Sequence, residues 1–72
     1  MLKQATEVEI EKLTLEYTWM GGEPQAMEKI LNEFEFSKSA IQLAIDNVMN
    51  SHCCGSTYQS ALTCKRLLEK KL

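Results

Sequence analysis

Nothing in this chain runs apolar for long enough to cross a bilayer. A spanning helix needs about 20 apolar residues, and the first twenty positions alone hold Glu7, Glu9, Glu11 and Glu16. Neither a membrane span nor a secretory leader is expected, so a reducing cytoplasm is the simplest compartment. Glycine and proline are sparse, three and one in 72 residues. No repeat, linker or low-complexity stretch divides the chain, and a single domain over residues 1–72 is expected. A chain this small buries a modest share of its surface. That leaves no room for a catalytic cleft of ordinary size, so no enzyme activity is expected, while a homodimer is.

An excess of basic charge is also missing. Net charge is −2, against the strongly basic balance of a typical nucleic-acid binder. The distribution is uneven. Residues 1–36 hold three lysines against eight glutamates, whereas residues 37–72 hold four lysines and Arg66 against Asp46 and Glu69. The cysteines, Cys53, Cys54 and Cys64, lack a metal pattern too. Structural zinc takes ligand pairs two to four residues apart, and His52-Cys53-Cys54 followed much later by Cys64 does not supply them. A thiol nucleophile beside His52 is weaker still, because adjacency in sequence is not the geometry that activation needs. No metal, no cofactor and no catalytic residue is expected.

What the chain does have is helical periodicity. Met27, Ile30, Leu31 and Phe34 share one face of a first short helix. Ile41, Ala44, Ile45, Val48 and Met49 share one face of a second, with Lys38, Gln42, Asp46 and Asn50 turned away. A tight turn at Glu35-Phe36-Ser37 joins them, with Ser37 placed to cap the second helix. Pro24 stands at the first position of the first. Upstream, Met1 to Ala5 reads as a frayed lead-in, and Thr6 with Glu9 forms a capping box. That box opens a helix expected to reach Met20 and stop at Gly21-Gly22. This helix puts Ile10, Leu13, Tyr17 and Met20 on one side and Val8, Leu15 and Trp19 on nearly the opposite side. It must be sandwiched between partners or lie in a dimer interface. The alternation of Leu13, Leu15, Tyr17 and Trp19 with Thr14, Glu16 and Thr18 equally fits a half-buried strand. Downstream, Gly55 reads as a terminator and Ser56 with Gln59 as a second capping box. The last helix carries Tyr58, Ala61, Leu62, Leu68 and Leu72 as packing residues, with Lys65, Arg66, Lys70 and Lys71 favouring its C-terminal dipole end. The expected fold is all-α, about four short helices with a central helix-turn-helix.

Residues 27–48 resemble the helix-turn-helix of phage-repressor-type, Cro-like DNA-binding proteins. That family wants apolar residues at the fourth, eighth, tenth, fifteenth and eighteenth of twenty positions, which here are Ile30, Phe34, Phe36, Ile41 and Ala44. Ser37 falls where the family often has serine. The chain departs at the fifth position, with Leu31 for a small residue, and at the ninth, with Glu35 for the turn glycine. The resemblance implies a phage-like, dimeric transcriptional regulator that binds double-stranded DNA. Its second helix would lie in the major groove, with Lys38, Ser39 and Gln42 at base edges, Leu43 against a thymine methyl, and Ser37, Lys65 and Arg66 completing the site. A strand at Leu13 to Trp19 before two helices would instead match the ribbon-helix-helix order, ranked lower because Glu16 would repel phosphate. A reading of a different class stands beside both. The eight glutamates before Ser37 suit a basic protein partner, as in a small inhibitor, antitoxin or adaptor without nucleic-acid binding.

Overall fold

The computed structural model describes residues 2–51 and 55–72. Its elements run β1 (Lys3–Gln4), α1 (Glu7–Thr14), a 3₁₀ helix (Glu16–Gly21), α2 (Pro24–Glu33), β2 (Phe34–Glu35), α3 (Lys38–Ser51) and α4 (Gly55–Glu69). Apart from the parallel pairing of the two-residue strands β1 and β2, the fold is all-α.

Three helix starts follow the local chemistry. At α1 the Glu9 carboxylate reaches back to accept from both the Thr6 amide (3.0 Å) and the Thr6 hydroxyl (2.6 Å). These bonds hold the Glu9 carboxyl below its usual pKa, the Thr6 hydroxyl being the largest cause. Pro24 occupies the start of α2, where a missing amide costs nothing. At α3 the Ser37 hydroxyl accepts from the Ala40 amide at 3.2 Å.

α3 is the centre of the core. Its Ala40, Ile41, Ala44, Ile45 and Val48 are buried, while Lys38, Gln42, Asp46 and Asn50 are exposed, as a 3.6-residue repeat requires. α3 packs on α4, the 3₁₀ helix and α1, whereas α2 packs mainly on α4. Leu13 comes from α1, Met27, Ile30 and Leu31 from α2, and Ala61, Cys64 and Leu68 from α4. Cys64 is fully buried. Burial, with a smaller contribution from the Glu23 charge, pushes its thiol pKa up to about 11.

Several expectations are corrected. α1 stops at Thr14 and does not continue to Met20. The Thr14 carbonyl, which the next helical turn would have used, accepts instead from the Asn47 side-chain amide (2.6 Å) and the Thr18 hydroxyl (2.9 Å). Side chains thus satisfy the helix end, and the chain tightens into the 3₁₀ turn. Leu13 to Thr18 accordingly runs through helix, turn and 3₁₀ and Trp19 turns out of it (φ −69°, ψ 139°), so the stretch is not a strand. The strands lie elsewhere: Lys3 and Gln4 are no frayed lead-in but pair with Phe34 and Glu35. α2 ends at Glu33 because Phe34 is already extended. Gly55 and Ser56 lie inside α4, so neither the Gly55 terminator nor the Ser56–Gln59 box stands where expected. The rest of that break, residues 52–54, lies outside the described residues. Tyr58, Leu72 and Met20, expected to pack, are exposed.

Candidate interaction surfaces

The residues singled out for DNA sit in two places. Ser37, Lys38, Ser39, Gln42 and Leu43 are all exposed, on the cap and first turns of α3. They share one continuous surface, and a carboxylate sits on it: the Gln42 side-chain amide donates to Asp46 Oδ1 at 3.1 Å. On α4, Arg66 is exposed and Lys65 half-buried. The basic residue brought to the start of α3 is Lys71, which lines one small pocket with Phe36 and Ile41.

The connection between α2 and α3 has its own geometry. Phe34 is extended, at φ −129° and ψ 152°. Glu35 pairs with Gln4, and its carbonyl accepts from the Ala5 amide at 3.1 Å. Among the described residues Met20 alone, glycines aside, has a positive φ. Glu35 therefore does not adopt the left-handed conformation that a turn glycine supplies, which its Cβ would penalise. The strand pairing replaces the tight turn. The backbones of α2 and α3 consequently stay apart, which leaves room for Leu31 in the core it shares with Ile41 and Ile45.

A second surface is built by the 3₁₀ corner. Its last residues run through three successive positive φ values, Met20 at 50°, Gly21 at 88° and Gly22 at 87°. The two glycines are required by space as well as by φ. A Cβ on Gly21 would come within 2.6 Å of the Thr57 carbonyl oxygen, and one on Gly22 within 2.8 Å of Cys64 Sγ and Val48 Cγ2. Ser51 clamps the corner from α3: its hydroxyl accepts from the Gly21 amide at 3.1 Å and donates to the Thr18 carbonyl. The Gly22 and Glu23 amides close the turn on the Trp19 and Tyr17 carbonyls at 3.0 and 2.9 Å. The Thr18 hydroxyl bonds back to the Thr14 and Leu15 carbonyls. Every polar tie therefore points inward, and Trp19 and Met20 point outward.

The result is an exposed apolar stripe. Val8, Leu15 and Trp19 are 57, 58 and 72 % exposed. They line one shallow groove with Glu11, Lys12 and Glu16. Scattered exposed apolar residues need no explanation, but a contiguous set is an interaction signature. Tryptophan is among the residue types most enriched at binding hot spots. Of the three charged residues lining the groove, Glu11 and Glu16 are acidic and Lys12 is basic, in a half of the chain that holds eight glutamates against three lysines. In the sequence this stripe is the set of apolar residues on the wrong side of the first helix.

Among the described residues, no group of three or more His, Cys, Asp or Glu side chains is placed to hold a metal ion. His52, Cys53 and Cys54 lie outside those residues. Among the described residues, too, no helix is long and apolar enough to cross a membrane. No family model, curated protein or solved structure significantly matches the chain.

Proposed function

We propose that this chain is a small protein-interaction module whose docking face is the stripe Val8, Leu15 and Trp19 at the 3₁₀ corner. The observation that carries this reading is the cost of presenting Trp19. Left-handed Met20 is unfavourable by about 1 kcal/mol, and strain of this kind persists only where the surroundings enforce it. Here Ser51, Thr18 and two obligatory glycines enforce it, and the outcome is a rigid corner with a tryptophan 72 % exposed. A preorganised aromatic anchor loses little entropy on binding. The flanking glutamates select a basic partner and steer it.

Capture of a binding protein by the immobilised chain, compared with Trp19→Ser, Leu15→Glu and Lys38→Glu variants, tests the reading. A partner retained by Lys38→Glu and lost with both stripe variants supports it. A partner lost only with Lys38→Glu overturns it.

Double-stranded DNA is the second reading, favoured by one observation: Lys38, Ser39, Gln42 and Leu43 are exposed together beside the Ser37 cap. It ranks below the first because Glu35 lacks the left-handed turn, the backbones of α2 and α3 stay apart, and Asp46 holds Gln42. Amide-resolved NMR with a mixed-sequence duplex at low salt separates the two. Shifts concentrated at residues 37–43 that fade as salt rises would favour DNA; no shifts there would remove it.

A further inference from the structure

We infer that the occupant of the stripe is a single amphipathic helix of a partner protein, basic along its flanks, rather than a second copy of this chain; this rests on the interaction-module reading above. Three features of the face lead to it.

The first is spacing. Val8 and Leu15 are seven positions apart on a helical stretch that ends at the Leu15 cap, so they stand about 10 Å apart along its axis. A partner helix repeats its own i and i+7 residues at the same interval, and its apolar stripe matches the groove step for step. An extended strand does not. Three residues of strand also cover about 10 Å, but an odd step places the two side chains on opposite faces.

The second is charge. Of the three charged residues that line the groove, Glu11 and Glu16 are acidic and Lys12 is basic. The face offered to a visitor is net acidic. A second copy laid on it would bring two net-acidic faces together, which disfavours the self-pair. Lysine and arginine on either flank of a visiting helix meet Glu11 and Glu16 instead.

The third is rigidity. Trp19 is held on the 3₁₀ corner that follows α1 and lines the same groove as Val8 and Leu15. A visiting helix can set one anchor residue against the indole and others against Val8 and Leu15. This is the helix-in-groove mode of recognition, read through anchors at i, i+3 or i+4, and i+7.

Trp19 is the sole tryptophan of the chain, so its emission reports on this face alone. The probes are three tryptophan-free synthetic peptides of about fourteen residues, long enough for nearly four helical turns. One carries leucines in a helical stripe flanked by lysines. The second has the same composition with the leucines scattered, and the third keeps the stripe but replaces lysine with glutamate. The first is expected to shift Trp19 emission to the blue with 1:1 stoichiometry, to bind at least about tenfold tighter than the others, and to weaken as ionic strength rises. Leu15→Glu should abolish that binding although it adds negative charge, which a merely electrostatic attraction would not do. Equal binding of the scattered peptide overturns the helix, and equal binding of the acidic peptide overturns the basic flanks. A blue shift that grows with protein concentration alone, with a dimer in sedimentation, makes the second copy the occupant. If no peptide binds while a captured partner is still lost with Leu15→Glu, this inference falls and the interaction module stands. If that capture is also insensitive to Leu15→Glu, both fall.

Discussion

α3 and the stretch from Val8 to Trp19 are alike on paper and opposite in outcome. Both place apolar residues at helical intervals between polar ones. α3 buries Ile41, Ala44, Ile45 and Val48 in the centre of the molecule. The other stretch buries Leu13 but leaves Val8, Leu15 and Trp19 to solvent. Part of the difference is made by side chains reaching from α3 itself. Asn47 and Ser51, on its inner edge, take the carbonyls of Thr14 and Thr18 and end the first helix before it could bring its second face inward. In α3 local preference, capping and packing agree; at the corner they conflict, and conflicts of this kind concentrate at working surfaces.

The contrast can be broken most severely at Gly22. Gly22→Ala adds a Cβ 2.8 Å from Cys64 Sγ at a φ of 87°, combining left-handed strain with overpacking for a loss of about 3 kcal/mol. For a domain this small that is a large share of total stability, and a urea-denaturation midpoint would show it. Asn47→Ala comes next. It leaves the Thr14 carbonyl with the Thr18 hydroxyl alone and should cost about 1–2 kcal/mol, with faster amide exchange at the corner and unchanged exchange in the middle of α3. Ser37→Ala removes the α3 cap and is expected to cost about 1 kcal/mol, seen as fraying of the first turn of α3 without any effect on the corner.

A smaller effect belongs to Glu9. Its carboxyl pKa is lowered on folding from the usual 4.5, first of all by the Thr6 hydroxyl. The stability it lends is therefore present above that value and lost as pH falls through the lowered one. Acid titration of stability should show a steeper decline in the native chain than in Glu9→Gln. The smallest effect sharpens the comparison most. Trp19→Ser should move stability by less than about 0.5 kcal/mol, as for an exposed position, while removing binding at the stripe. A loss near that of a buried aromatic, about 3 kcal/mol or more, would mean that Trp19 is core in solution and that the two stretches do not differ.

The helix starts were legible because their causes are local. Thr6 with Glu9, Pro24 and Ser37 each act within a few residues, and all three stand where the sequence places them. The inner and outer faces of α3 follow from periodicity in the same way. The end of α1 was not legible, since its decisive partner, Asn47, lies 33 residues away in sequence. The strand pairing of Phe34–Glu35 with Lys3–Gln4 is equally remote, and it replaces the tight turn that short-range reasoning demands. Gly55 misled because a glycine suited to ending one helix also tolerates the first turn of the next. At the candidate sites, exposure of Lys38, Ser39, Gln42 and Leu43 was readable from spacing. The stripe was visible only as three residues on the wrong side of a helix, and the corner that gives it shape depends on Ser51 from across the fold.

The β1–β2 bridge has a consequence for the order of folding. Its register joins Lys3 to Phe34, closing a loop of about thirty residues at an entropic cost of about 3 kcal/mol. A two-residue ladder, at about 1 kcal/mol for each hydrogen bond, does not offset that cost alone. The bridge is thus a late event, added when α1, the corner and α2 have already brought the two ends together. By the same reasoning it is expected to open first on the way to unfolding, ahead of the helical core.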